Sequence, residues 1–375
     1  MWRLGYDAKR IFHNRTGLGN YGRDLIRILS ANYPAHHYLL YNPKPAREAL
    51  FKPSGTVEER LPQGWSRRVP ALWRSKLILK DLKRDAVHLY HGLSGELPWG
   101  ISRSGIPSVV TVHDLIFLRY PQWYKPFDRW IYKQKFLRAV AEADHVVAIS
   151  EQTKRDILQW SGTDPSKISV IYQGCYPVFK EALPEAFLEN VRRKWSLPAR
   201  FLLQVGTIEP RKNAFTTVRA LKDLPYHLYL VGRPTAYADL IKDFVRRHGM
   251  EDRIHFLQGL DLRELAALYR LADLSVYPSL FEGFGIPLIE SLYSGTPVVT
   301  NRHGVFPEAA GPGGIYLDDV TDAAEMRAQI ERWMRDDEGR RRLARQGREY
   351  VSRFDDEVLA AQWMELYNAV LRRKS

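Results

Sequence analysis

The chain of 375 residues holds one cysteine, Cys175. A single thiol forms no internal disulfide and anchors no cysteine metal cluster. No apolar run approaches the roughly 20 residues that a membrane-spanning helix needs, so no bilayer crossing is expected. D-x-D, H-E-x-x-H and clustered metal ligands are all missing, which leaves no expected metal site. No repeat or low-complexity tract interrupts the chain. The start, Met1-Trp2-Arg3-Leu4-Gly5-Tyr6-Asp7, already reads as a strand and lacks the basic-then-apolar layout of a secretion signal. A cytoplasmic protein is the expectation.

What is present suits two domains of about 180 residues, since one hydrophobic core rarely grows so large. Hydrophobic residues make up 45% and charged residues 26%, as in ordinary globular proteins. The net charge of +13 is unevenly placed: residues 1–180 hold 28 Lys and Arg against 15 Asp and Glu, while the remainder balances. Such asymmetry points to an anionic partner for the first half, a membrane surface, a lipid diphosphate or an acidic glycan. No recognised nucleic-acid-binding motif accompanies the charge, so nucleic acid is not expected.

Strand-like and helix-like runs alternate, which predicts an α/β fold of parallel sheets covered by helices. In the first half strands are expected near Arg3–Asp7, Tyr38–Tyr41, Val87–His91, Ser108–His113, Val146–Ser150 and Ile168–Tyr172. In the second they are expected near Phe201–Val205, His227–Val231, Ile254–Leu257, Leu274–Tyr277, Val298–Thr300 and Ile315–Leu317. The expected division is a first domain over 1–175, a proline-punctuated hinge over 176–197 and a second domain over 198–352. A last amphipathic helix lies within 353–375, its apolar residues including Val358, Leu359, Trp363, Leu366 and Val370.

The most informative run is Pro278-Ser279-Leu280-Phe281-Glu282-Gly283-Phe284-Gly285-Ile286-Pro287-Leu288-Ile289-Glu290. It places two carboxylates eight positions apart around a glycine-framed turn that leaves a buried strand and enters a helix. Gly283 and Gly285, on either side of Phe284, let backbone amides approach a ligand closely. Unpaired amides at the helix start attract a diphosphate. Glu282 is then placed to accept from sugar hydroxyls, and Glu290, expected in the first helical turn, from a ribose diol. The plainer alternative has Glu290 complementing the helix dipole and Glu282 as a solvated loop acid.

This run resembles the E-x7-E signature of the GT4 family of retaining glycosyltransferases. The resemblance implies the GT-B fold: two facing Rossmann-like domains, a cleft between them, and a C-terminal helix crossing back to the first domain. A second run, Gly206-Thr207-Ile208-Glu209-Pro210-Arg211-Lys212-Asn213, follows the first strand of the second domain, with Asn213 as the expected helix cap. Arg211 and Lys212 at a helix start oppose its dipole unless an anion lies between them, although a solvated basic loop is the alternative. The resemblance implies that Lys212 contacts the donor diphosphate. Where the family commonly has Arg after Gly206 this chain has Thr207, so Arg211 is expected to supply that charge, as in the mannosyltransferase-like branch.

His113, at the end of Thr111-Val112-His113-Asp114, is expected at the carboxyl edge of its sheet; the resemblance sets it beside the transferred sugar, with Asp114 as its orienting neighbour. The alternative is a structural histidine bonded to Asp114 or a loop carbonyl. Gly17-Leu18-Gly19-Asn20-Tyr21-Gly22 spells a dinucleotide fingerprint but stands some ten residues after Asp7, too far for that motif's tight turn. It is similar to the flexible glycine loop of GT4 enzymes, which implies that amides at Gly17 and Gly19 reach donor phosphate or acceptor, with a plain turn as the alternative. The segment from Trp65 to Arg84, with two Trp and seven cations, either lies on an anionic membrane or packs on its own sheet. Tyr90 to Pro98 is expected to help shape the acceptor side, and Ser150 to cap a helix.

Together these features predict a metal-independent hexosyltransferase with no bound cofactor. The expected donor is a nucleotide diphosphate sugar, and the resemblance to the mannosyltransferase-like branch implies GDP-mannose foremost. The expected acceptor, suggested by the basic first half, is a glycan or polyprenyl-diphosphate-linked glycan of the cell envelope, met at the inner membrane face. A non-hydrolysing sugar-nucleotide epimerase, a related phosphorylase and an inactive binding subunit are the alternatives.

Overall fold

The computed structural model describes residues 1–48 and 50–374. The chain divides into two compact units, one of Met1–Gly174 with Phe354–Ser375 and the other of Cys175–Arg353.

The first unit is built on a seven-stranded parallel sheet: β1 (Arg3–Asp7), β2 (His37–Tyr41), β3 (Val57–Arg60), β4 (Leu89–Gly92), β5 (Ser108–Val112), β6 (His145–Ala148) and β7 (Ile168–Val170), in spatial order β3-β2-β1-β4-β5-β6-β7. Central strands are covered on both faces, so Val109, Val110, Val146 and Val147 are all fully buried. β3 shows no apolar pattern because it is an edge strand: only Val57 is buried, and Glu58, Glu59 and Arg60 keep the edge charged. Ser150 caps the helix Glu151–Ser161 by accepting from the Thr153 amide.

The C-terminal helix, Asp356–Arg372, belongs to this unit. Leu359, Trp363, Leu366, Tyr367 and Val370 enter its core, Val358 faces outward, and Arg27 pairs with Asp356 at 2.5 Å. Tyr367 also bonds His91 Nδ1 at 2.8 Å, while His91 Nε2 meets the Thr111 hydroxyl at 2.8 Å. His91 therefore faces the core, whereas Ser94, Gly95 and Glu96 of the same segment line a cavity with His113.

Burial pushes His91 down to about 3, and His113 and His145 each down to about 4. All three are neutral when folded and take up protons on unfolding below the ordinary histidine value near 6.5. Stability present at neutral pH is thus lost as pH falls from about 6.5 towards 4. Urea titrations between about pH 7 and pH 5 should show a falling midpoint, and His91→Gln should flatten that dependence while lowering stability at neutral pH.

Residues 65–84 turn inward only in part, since Trp65 is 65% exposed and Leu72 44%. Trp73, Ile78 and Leu82 lie in the core, with Trp73 Nε1 donating to Asp81 at 2.6 Å. The apolar residues Trp73, Ile78 and Leu82 pack within their own unit, which removes these three from a membrane-facing surface. Gly17–Asn32 is a helix, not a flexible loop. Its glycines serve close packing: a Cβ on Gly19 would sit 1.9 Å from the Asn14 carbonyl oxygen, and one on Gly22 2.8 Å from Ile11.

The second unit repeats the plan with β8 (Phe201–Val205), β9 (His227–Val231), β10 (Ile254–Leu257), β11 (Leu274–Tyr277), β12 (Val298–Asn301) and β13 (Gly314–Leu317), all parallel in order β10-β9-β8-β11-β12-β13. Residues 176–197, read from the sequence as a hinge, contain the helix Glu185–Lys194 and pack within this unit. Lys194 pairs with Glu264, and Tyr229 donates to the Ser196 carbonyl at 3.0 Å.

Candidate functional site

Strand order in the second unit reverses between β8 and β11, leaving a crevice position at the carboxyl ends of these two strands. β8 runs into Gly206 and β11 into Pro278, so the two motif loops emerge side by side. They are tied together: the Leu280 amide donates to the Arg211 carbonyl at 2.9 Å, and Asn213 Nδ2 reaches the carbonyls of Pro278 at 3.4 Å and Val320 at 2.7 Å. Asn213 is thus a loop clasp. It precedes the helix Ala214–Ala220 in a left-handed conformation (φ 55°) without a side-chain bond to the helix amides, which corrects its expected capping role.

Two glycines let the loops approach. Gly206 (φ +142°) closes β8, and a Cβ on neighbouring Gly232 (φ +154°) would lie 2.0 Å from the Gly206 carbonyl oxygen. Gly232 escaped the sequence reading because nothing in its neighbourhood spells a motif. Gly285 (φ +108°) precedes the helix Ile286–Tyr293, where a Cβ would strike Leu288 at 2.9 Å. Pro287 occupies the second helical position and Phe284 is buried. Gly283 lies in the loop between Glu282 and Phe284, half-buried.

Glu282 joins the loops electrostatically. It accepts from Arg211 Nη1 and Lys212 Nζ, each at 2.6 Å, while Arg211 also donates to the Phe281 carbonyl at 2.9 Å and to Glu209 at 2.7 Å. Burial alone would raise the Glu282 pKa, but the Lys212 and Arg211 charges hold it down at about 2. Glu282 is therefore a permanent anion and not a solvated loop acid. Lys212 is lowered by burial against the pull of Glu282, and also donates to Tyr277 Oη. Two partners are thus set against the three protons of its ammonium group.

Glu290 falls in the second turn of its helix, not the first, and so does not serve the helix dipole. It accepts from Tyr269 Oη at 3.3 Å and feels the charge of Lys212. Burial raises it to about 7 against both influences. Tyr269 and Tyr277 were missed by the sequence reading because each reads as core.

In the first unit, His113 follows β5 and is half-buried. Its Nε2 donates to the Leu93 carbonyl at 2.8 Å, and Gln173 Nε2 donates to its Nδ1 at 3.1 Å. These partners orient the ring, with Tyr21 edge-on to it at 4.6 Å, in place of the expected Asp114. Asp114 accepts from the Ile116 amide at 3.2 Å. With both nitrogens engaged and its pKa near 4, His113 is not poised as a general acid or base. Any activity should therefore show no ionisation from this residue between about pH 5 and 8, and His113→Gln should leave the shape of the pH profile unchanged.

His113 lines a cavity of about 180 Å³ with Arg10, Leu18 and Glu96. A neighbouring cavity of about 450 Å³ shares Glu96 and Lys135 with it and adds Lys9, Lys44 and Trp99. The amide of Gly19 is committed to the Thr16 carbonyl at 2.9 Å, so it is not a phosphate donor; Gly17 opens the helix.

Two family models match the chain. "Glycosyltransferase Family 4" covers residues 15–177 and "Glycosyl transferases group 1" covers residues 189–350. The chain is 26% identical to the O-antigen chain mannosyltransferase B of Escherichia coli, over 97% of this chain and 99% of that protein. Among solved structures, a glycosyltransferase from Rickettsia africae superposes with a TM-score of 0.79 at 17% identity, covering 99% of this chain and 98% of that one. The Anabaena protein HepE in complex with UDP gives 0.76 at 18%, covering 98% and 100%. These likenesses assign the GT-B fold. With a family model on each half, the chain belongs to glycosyltransferase family 4.

Proposed function

We propose that the protein is a retaining hexosyltransferase acting on a nucleotide diphosphate sugar without a metal. Its acceptor is a glycan or polyprenyl-diphosphate-linked glycan at the cytoplasmic face of a membrane, in cell-envelope polysaccharide synthesis. The observation that carries this is the junction of Arg211, Lys212 and Glu282 between the two loops, with Glu290 within reach of the Lys212 charge. As the glycosidic bond breaks, negative charge develops on the leaving diphosphate. Arg211 and Lys212 would stabilise it in a largely water-free site, the role a metal plays elsewhere. Glu282 holds the two cations side by side against their repulsion, and orients the sugar through its hydroxyls. Glu290 would accept from the ribose diol. His113 would serve the sugar by position and not by proton transfer, its ring held by Leu93 and Gln173.

Mannose is favoured because the relative aligned over nearly the whole chain is named a mannosyltransferase; the UDP bound to HepE keeps uridine donors in the comparison. A thermal-shift panel of GDP-, UDP-, ADP- and dTDP-sugars in EDTA tests the donor, since a ligand that prefers the native state raises the apparent melting temperature. GDP-mannose should give the largest rise, and failure of every sugar nucleotide would refute the assignment. Analysis of products from donor alone separates transfer from epimerisation.

A further inference from the structure

The first unit exposes aromatic side chains along one continuous segment. Trp123 is 37% exposed, Phe127 70% and Trp130 60%. Phe127 and Trp130 stand one turn apart on the helix Pro126–Glu142, their rings 6.4 Å apart. Side chains this large and apolar rarely cluster on a surface that meets only water. Beside them is a slot of about 390 Å³, walled by Leu118, Pro121, Pro126, Trp130 and Trp160 and flanked by Arg129 and Lys133. Lys125 and Lys133 are both exposed. Among the described residues neither takes part in an ion pair. From Leu118 to Arg138 the chain carries six cations and one acid, Asp128.

We propose that this face docks on an anionic phospholipid surface, with Phe127 and Trp130 inserted at the headgroup level. Lys125, Arg129 and Lys133 would meet lipid phosphates, and the slot beside Trp130 would take the upper part of an acyl chain. Charge complementarity selects this occupant: an aromatic face ringed by lysine and arginine matches a membrane of opposite charge better than a second, equally basic copy of the chain. The inference deepens the reading above by naming the surface that brings the enzyme to a lipid-linked acceptor, but its test needs no transferase activity.

The full chain is sedimented with vesicles of phosphatidylglycerol and phosphatidylcholine, and with phosphatidylcholine alone, at low and high salt. Binding is expected on the anionic vesicles, reversed by salt and weak on the neutral ones. Phe127→Ser with Trp130→Ser should weaken the partition by about tenfold or more, because two aromatic rings no longer leave water. Lys125→Gln with Lys133→Gln should weaken it by about tenfold to thirtyfold. Both double variants should keep the circular dichroism and the sugar-nucleotide thermal shift of the parent, which distinguishes loss of docking from loss of fold or of the donor site. No binding to anionic vesicles at low salt, or equal binding by the parent and both variants, overturns the proposal. So does a concentration-dependent dimer that dissolves in the Phe127→Ser, Trp130→Ser variant, since a second copy would then cover the face.

Discussion

Lys212→Ala should lower turnover by about 10²–10³-fold, the usual loss when one preorganised donor to a developing anion is removed. Lys212 is the cleaner probe of the two cations. Its ammonium group meets Glu282 and Tyr277 only through side chains, whereas Arg211 also holds the Phe281 carbonyl and so supports the loop itself. Arg211→Ala should therefore cost stability as well as rate. Glu282→Ala completes the comparison. It leaves two cations facing one another with their shared carboxylate gone, at sites where the side chains are only 23% and 14% exposed. That should cost on the order of 1–3 kcal/mol of stability. Added pyrophosphate should recover more of the melting temperature in Glu282→Ala than in the parent, because an anion then replaces the missing carboxylate. Steady-state kinetics and thermal shifts measure both effects. A Lys212→Ala enzyme of parental turnover would remove this cluster from the chemistry.

Donor affinity should rise with pH through about 7, and Glu290 is the reason. Burial raises its carboxyl to about 7, above the ordinary carboxylate value. Only the ionised form accepts from both hydroxyls of a ribose diol. Between pH 6 and pH 8 the ionised fraction grows about tenfold, so nucleotide affinity should grow by up to about that factor, with proton release on binding. The contribution of Glu290 to the stability of the ligand-free protein runs the opposite way, against the larger trend set by His91, His113 and His145. The folded state binds the extra proton between the ordinary glutamate value and about 7, so that contribution falls as pH rises through that window. Glu290→Gln should abolish the rise in donor affinity, bind donor weakly at every pH and steepen the gain in stability with pH that the histidines set. Titration calorimetry in buffers of different ionisation enthalpy reads the proton directly; a flat profile in the parent would exclude Glu290 as the ribose ligand.

The interior strands were legible because their apolar runs are short and bounded by turn residues. Phe201–Val205 and Leu274–Tyr277 emerge as expected. β3 was not legible, since an edge strand of Glu58, Glu59 and Arg60 offers no apolar period. Gly17, Gly19 and Gly22 misled for a different reason. Glycine signals flexibility in sequence, but here it permits backbone approach to Asn14 and Ile11, a tertiary demand that no local pattern reveals. The segment from Trp65 to Arg84 was undecidable, because a core-facing helix and a membrane-facing helix share one amphipathic pattern. At the site, Glu282, Lys212 and Arg211 were marked by unusual chemistry at loop ends. Their mutual pairing, the tyrosines beside Lys212 and Glu290, and the two bonds that hold His113 depend on contacts distant in sequence.

Calorimetric titration of the full chain with GDP-mannose, GDP and guanosine in EDTA, and with the uridine series, reads most directly whether the second unit grips a sugar nucleotide through its diphosphate. Nucleoside diphosphates should bind without metal, and removing either the diphosphate or the Lys212 side chain should weaken binding by at least about tenfold. A nucleoside that binds as tightly as its diphosphate, or a Lys212→Ala protein that binds as tightly as the parent, would contradict it.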